Sequence, residues 1–449
     1  MGIARNFRLK LTYTQTIVIG FFLIILVGAL LLMLPISSRE RNWTSFSVAC
    51  FTATSATCVT GLQLFDTYLY WSFFGQLIIL FMIQVGGIGF MTLLTMFSLF
   101  IKRKIGLHER KLMMETSGML HLSGVVRLIK RILFGVLVIE GIGALLLAVR
   151  FIPLKGFWHG VYHAIFLSVS AFNNAGFDLM GEYGPFSSLQ FFANDMLVTL
   201  TVSVLVFLGG IGYIIWDDIV KHKFNFSKYE LHTKIVLSTT GILIGIGWLC
   251  FFIFEGQAGF YGLSWPQKLL QAFFYSITLR TAGFMTFDIH AISESGSLLT
   301  LIFMFIGASS GSTGGGIKVT TFAILVLSAV ATARQRRNIT IFKRQIDNET
   351  VKKASAMFMI YLAVVMSMTL LLTVLEPYSM KEALFETISA ITTVGLSLGI
   401  TPSHGLMAQL VIMLLMFIGR IGFLTLVFAF GGKHIAPPIE RVTEKILIG

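Results

Sequence analysis

Four tetrapeptides concentrate the chemistry this sequence can do: Cys58-Val59-Thr60-Gly61, Asn173-Asn174-Ala175-Gly176, Arg280-Thr281-Ala282-Gly283 and Thr392-Thr393-Val394-Gly395. Each sits in a polar interruption of an apolar stretch: "SATCVTGL" at 55 to 62, "SAFNNAGF" at 170 to 177, "ITLRTAGF" at 277 to 284 and "SAITTVGL" at 389 to 396. No acid occurs in any of them, which disfavours a carboxylate ring of the kind found in many divalent or sodium channels. What they offer is backbone. Glycine admits conformations that a side chain forbids, and carbonyls gathered around one point can replace an ion's hydration shell, as in potassium filters.

The elements that must position these segments repeat. The four glycines are offset by 115, 107 and 112 residues in a chain of 449, so the chain reads as a fourfold pseudo-repeat. Each unit holds a long apolar helix, an amphipathic segment too short to span a bilayer, the tetrad and a second long apolar segment. In the first unit these are 11 to 34, 43 to 56, 57 to 61 and 68 to 100. The short segments fit re-entrant half-helices, since non-helical backbone at membrane depth is tolerated only where it is buried in protein or lines a cavity. Four of them meeting on an axis would aim the negative ends of their dipoles at one point. The expected fold is an all-α polytopic membrane protein: four tandem helix–pore-loop–helix repeats around a pseudo-fourfold pore, with eight spanning segments. The units run over 1–110, 111–222, 223–345 (with a broken second helix) and 346–449 (with a C-terminal cytoplasmic tail).

Composition agrees. Residues are 55% hydrophobic and 12% charged, against roughly 25% charged in soluble domains. Charge-free runs at 11–38, 67–101, 196–216, 235–254, 295–317, 354–375 and 387–419 are long enough to span or nearly span a bilayer. The first is too long for a signal-peptide core and is expected to stay in place. The net charge of +13 does not point to nucleic acid, because 25 of the 34 Lys and Arg fall in six clusters between spans. By the positive-inside rule these clusters, and both termini, are expected to face the cytoplasm, where they meet anionic lipid. The three cysteines have no metal-ligand spacing. The nine histidines give no HExxH motif, and no catalytic triad stands out, so an enzyme is not expected.

A second recurring element follows each tetrad: "QVGGIGF" at 84 to 90, "FLGGIGY" at 207 to 213 and "FIGRIGF" at 417 to 423, where Arg420 replaces a glycine. In the third unit "GASSGSTGGGIK" at 307 to 318 stands in its place. Half of its first ten residues are glycine, and such a segment cannot hold a helix. It fails the P-loop spacing and reads instead as a mobile intramembrane loop blocking the cavity below the tetrads, with an inert helix break as the alternative. Gly307, Ser309, Ser310, Gly311, Ser312, Thr313, Gly314, Gly315 and Gly316 are assigned to this gate, with Lys318 as a tether that snorkels or pairs with an acid. Arg420 faces the loop, opposing cations and hydrogen-bonding loop carbonyls. Arg280 is expected to run behind its tetrad and brace it, and Glu140 to bond a neighbouring helix, with a role in ion coupling as the alternative.

On "NNAGF", "RTAGF", "TTVGL" and "GASSGSTGGGIK" the chain resembles the superfamily of potassium transporters that includes the Trk, Ktr and HKT proteins. Among its branches it is most similar to the Ktr membrane subunit. The resemblance implies potassium uptake, with the sixteen tetrad residues as the potassium filter, no ligand other than potassium, and sodium as an activator. It further implies a homodimer with one pore per protomer. The dimer would dock on a cytosolic KTN/RCK-type ring of nucleotide-binding subunits that carries ATP or ADP. The alternative is a sodium- or proton-coupled symporter with a midplane site.

Overall fold

Among the described residues, only the first helix of each unit is long enough to cross a bilayer unaided. In the computed structural model, which describes residues 12–89, 125–223, 225–336 and 338–430, these helices are α1 (Tyr13–Met33), α4 (Val125–Lys155), α8 (Leu231–Glu255) and α12 (Asn348–Leu375). Their lipid-facing sides are apolar and exposed, as at Phe22, Val27, Leu145, Ile253 and Val374, the expected surface where the solvent is hydrocarbon. The protein is a multi-pass, almost wholly helical membrane protein. A two-stranded hairpin, β1 (Thr340–Ile341) and β2 (Arg344–Gln345), links the third unit to the fourth.

Behind each first helix lies a short pore helix: α2 (Phe46–Cys58), α5 (Phe157–Phe172), α9 (Trp265–Thr278) and α13 (Met380–Thr392). Capping boxes at Ser264–Gln267 and Ser379–Glu382 fix where α9 and α13 begin. Their last turns are buried and rich in Ala, Ser and Thr, small enough for neighbours to close in. Cys58 and Thr392, read from sequence as loop residues, form the last residues of α2 and α13.

The second helices depart from expectation. α3 (Phe73–Ile88), α6 (Met196–Ile211) and α14 (Leu406–Ile421) stop after 16 residues, about 24 Å. Each stops at the last glycine of its repeated element: Gly89, Gly212 and Gly422 have φ of +90°, +98° and +89°. Beyond Gly212 the chain turns by 96° into α7 (Tyr213–His222), and beyond Gly422 it continues as α15 (Phe423–Phe430). In the third unit α10 (Glu294–Phe305) and α11 (Val319–Ala333) flank the loop. The interruption expected in the third unit is present, and the second helices of the other three units also stop at this level. The left-handed glycine ends each of those three, and the third unit elaborates that break. The continuation of the first unit past Gly89, the basic cluster at 102–111 and the two terminal tails lie outside the described residues.

Packing closes a circle. The second helix of each unit rests on the pore helix of the next: α3 on α5, α6 on α9, α10 on α13, and α14 back on α2.

Candidate functional site

Backbone conformation at the four tetrads is alike. Gly61, Gly176, Gly283 and Gly395 all have positive φ, and so do the residues two places earlier, Val59, Asn174, Thr281 and Thr393. A left-handed conformation at a β-branched residue costs about 1–2 kcal/mol, so three of these positions hold strain that their surroundings must maintain. The loop amides point away from the centre. Thr60, Ala175 and Val394 donate to the carbonyls of Ser55, Ser170 and Ser389 at 2.8, 2.8 and 2.9 Å. The amides of Gly61 and Gly395 donate to the hydroxyls of Ser55 and Ser389, each at 3.1 Å. With these N–H groups engaged on the pore helices, the carbonyls of Thr60, Ala175, Ala282 and Val394 are the groups that approach the glycines of neighbouring units.

The loops meet. A Cβ placed on Gly61 would stand 2.7 Å from the Ala175 carbonyl oxygen, and one on Gly176 would stand 2.9 Å from that of Ala282. On Gly283 it would come within 2.3 Å of the Val394 oxygen, and on Gly395 within 2.1 Å of the Thr60 oxygen. Each glycine is thus required by a carbonyl of the next unit, and the series returns to its start. On one side of this ring all four glycines line a cavity of about 530 Å³ that also receives Asp66, Asp178 and Asp288. Burial pushes the Asp178 carboxyl up to about 6, and Asp66 adds to the shift.

Directly against the other side lies the 307–318 loop. Gly315 N donates to Thr393 Oγ1 at 3.0 Å, and Thr313 Oγ1 donates to the Phe172 carbonyl at 3.4 Å. A Cβ on Gly314 would overlap Thr281 Oγ1 at 2.0 Å. Ser309 N donates to Gly210 O at 3.0 Å, and Tyr213 N to Gly311 O at 2.9 Å. The loop therefore touches residues from three units at once.

The chain matches the model of the TrkH family, described as a cation transport protein, over residues 6–437. It belongs to that family. It is 40% identical to the Ktr system potassium uptake protein B of Bacillus subtilis, covering 94% of this chain and 93% of the relative. It is 38% identical to the potassium/sodium uptake protein NtpJ of Enterococcus hirae (95% and 94% covered). The same identity relates it to the Ktr system potassium uptake protein D of Bacillus subtilis (98% of each). Its fold matches the crystal structure of the potassium transporter TrkH from Vibrio parahaemolyticus with a TM-score of 0.73 at 19% identity, over 96% of this chain and 87% of that one. The family and its helical fold accord with the sequence reading, as does the transporter class, since these relatives are named for uptake and not for an enzymatic reaction.

Within this TrkH-family chain, Arg420 donates to the Thr313 carbonyl of the loop, and to Gly86 and Gly87 of the first unit, the last at 3.0 Å. Lys318 holds the loop through the carbonyls of Gly314 (2.7 Å) and Gly315 (3.5 Å). The expected snorkelling or acidic partner is replaced by backbone, because the loop folds back over its own lysine. Arg280 runs behind the third tetrad to Thr240 Oγ1 at 3.3 Å on α8, and Glu140 bonds α3 through Gln84 and the second tetrad through Asn173.

Sequence reasoning assigned nothing to Glu386, which is fully buried in α13. Ser397 Oγ and Thr401 Oγ1 donate to it at 2.7 and 2.5 Å, and His404 Nε2 lies 3.2 Å away. These contacts anchor the chain leaving the fourth tetrad. The available signal was an acid inside a segment that had to be a pore helix.

Proposed function

We propose that this chain mediates potassium uptake through a single-file pore whose selectivity filter is the glycine ring. The relatives named as potassium uptake proteins support the substrate, and the closed ring of carbonyl-facing glycines carries the mechanism. A dehydrated ion at its centre would be met by oxygens from all four units, with the pore-helix dipoles adding negative potential there. The four stretches 1–110, 111–222, 223–345 and 346–449 then act as quarters of one pore. One glycine per loop leaves selection less tightly enforced than in dedicated potassium channels.

The pore opens outward through the acidic cavity and is closed inward by the 307–318 loop with Lys318 and Arg420. The basic clusters between spans support placing the loop side, and both termini, toward the cytoplasm. Naming of two relatives as parts of a Ktr system supports a partner. We assign that role to a cytosolic nucleotide-binding ring docked on a homodimer, with sodium as activator. A coupled symporter is the second reading, favoured by the potassium/sodium name of one relative. Against it, the buried carboxylates of Glu140 and Glu386 are engaged by hydrogen bonds behind the loops.

The deciding experiment is rescue of a potassium-uptake-deficient bacterium at low external potassium, with a matched regulatory subunit supplied. Rescue by the wild type, lost potassium preference over sodium in Gly61→Ser, and normal membrane insertion of both are expected. No rescue by the inserted wild type would remove the reading.

A further inference from the structure

Glu140 lies in the membrane-spanning part of α4 with 6% of its surface exposed. Charged groups at that depth are costly and need compensation. Two amides supply it: Gln84 Nε2 donates to Oε2 at 3.1 Å, and Asn173 Nδ2 donates to Oε1 at 3.0 Å. Asn173 Nδ2 also donates to Gln84 Oε1 at 2.9 Å, so side chains from α3, α4 and the second tetrad close a three-membered ring. Ser168 Oγ donates to the Glu140 backbone carbonyl at 2.7 Å and pins α4 to pore helix α5. On the far side Asn173 is wedged against Gly87, where a Cβ would come within 1.9 Å of its Oδ1.

No ion pair among the described residues includes Glu140. Meanwhile Arg280 lies behind the third tetrad and Lys318 and Arg420 hold the loop against one side of the ring, bonded to a hydroxyl or to carbonyls and not to acids. Left to themselves, three cations would make the centre hostile to any further positive charge. Of the acids held behind these loops, Glu386 lies 3.2 Å from His404 Nε2, whereas the Glu140 carboxylate meets only side-chain amides and its position is fixed from three sides.

We propose that Glu140 is the fixed counter-charge of the ion site: through Asn173 it is held behind the second loop, where it raises affinity for monovalent cations as a class. The inference rests on the ring being the ion site. A point charge at this remove acts on potassium and sodium alike, whereas discrimination between them follows the number and field strength of the coordinating oxygens. Glu140 therefore sets how tightly ions are held and leaves their ranking to the carbonyls.

The test is titration of potassium and of sodium into the purified full-length protein, for wild type, Glu140→Gln and the exchange variant Gln84→Glu/Glu140→Gln. The exchange keeps one carboxylate and two amides in the ring. Expected is a loosening of both ions by about tenfold in Glu140→Gln, the size one charge gives at roughly 10 Å and an effective dielectric of about 20, with their ratio preserved. The exchange variant should return both to near wild type. Unchanged affinity in folded Glu140→Gln overturns the proposal, as does a collapsed potassium-to-sodium ratio that the exchange fails to restore. Failure of both variants to fold assigns the triad a bracing role and overturns it equally. Should Glu140→Gln alone fail to fold, the exchange variant decides: wild-type affinity for both ions supports the counter-charge, and weakened binding removes it. A wild type that binds neither ion would instead strike at the ring as the ion site.

Discussion

The glycine ring and the layer next to it are built from the same four units to opposite plans. In the ring every unit contributes the same backbone, with positive φ at the glycine and two residues before it, and every glycine is enforced by the neighbouring unit's carbonyl. In the adjacent layer Gly87, Gly210 and Ala308 occupy three corners and Arg420 the fourth. That one side chain ties its own unit to the carbonyls of Gly86 and Gly87 in the first and Thr313 in the third. In the proposed pore, equivalence would serve coordination, because an ion has no preferred quarter. Control needs an element that can move against the rest, and only a broken symmetry supplies one.

The sharpest way to break the comparison is to add a methyl group to each ring glycine in turn. All four positions have positive φ, so each alanine carries the same backbone penalty of about 1–2 kcal/mol. The clashes differ: the nearest carbonyl oxygen lies at 2.1 Å for Gly395, 2.3 Å for Gly283, 2.7 Å for Gly61 and 2.9 Å for Gly176. Potassium-dependent growth and rubidium flux, normalised to inserted protein, should be abolished in Gly395→Ala and Gly283→Ala. Gly61→Ala should retain some flux and Gly176→Ala the most. Equal losses at all four sites, or a reversed order, would remove the claim that interlocked carbonyls hold the ring.

In the layer beneath, the corresponding test is one residue. Arg420→Gln keeps a hydrogen-bond donor for the Thr313 carbonyl but deletes the charge that, in the proposed gate, opposes a passing cation. Flux should rise by about tenfold, as expected for removing one partly screened charge near the path, while melting temperature changes little. A nearby control separates charge from packing: Gly419 has the Ile391 carbonyl 2.0 Å from where its Cβ would be, so Gly419→Ala should fail to assemble. If Arg420→Gln fails in the same way, the arginine is a brace between helices and not a barrier.

Much of this was legible because glycine, charge and periodicity report on backbone and burial directly. The interval between tetrads exposed the repeat, and the missing acids identified carbonyls as the chemistry on offer. Two things escaped. The break at Gly89, Gly212 and Gly422 looks, in sequence, like one more glycine in an apolar run, and only a φ near +90° distinguishes a stop from a tolerated helical residue. The partners of Lys318 escaped for another reason: they are backbone carbonyls, which every residue possesses. Gln84 illustrates the same limit, since a lone amide gains meaning only when folding sets it beside Glu140 and Asn173.

The cavity above the ring extends the comparison with the smallest expected effect. Asp66 and Asp288 sit five residues after their ring glycines, whereas Asp178 sits two after its own and has no acidic counterpart among Gln63, Met285 and Ser397. Asp66 Oδ1 is committed to the amides of Tyr68 and Leu69, and Oδ2 to that of Phe186. Asp178 is half-buried, and its carboxyl is raised to about 6 by burial first and by Asp66 second, with Lys155 working the other way. A raised carboxyl is charged above its folded pKa and neutral below it. Lowering the pH on this side from 7.5 to 5 therefore deletes one negative charge from the mouth. One charge at roughly 6 Å in water is worth about 0.7 kcal/mol, so the apparent KM for potassium should rise by about threefold at low ionic strength and by less in salt. Asp178→Asn should show the raised KM at every pH and lose the step near 6. If the step survives in that variant, another group in the cavity titrates, and the asymmetry of the mouth would have to be assigned to it.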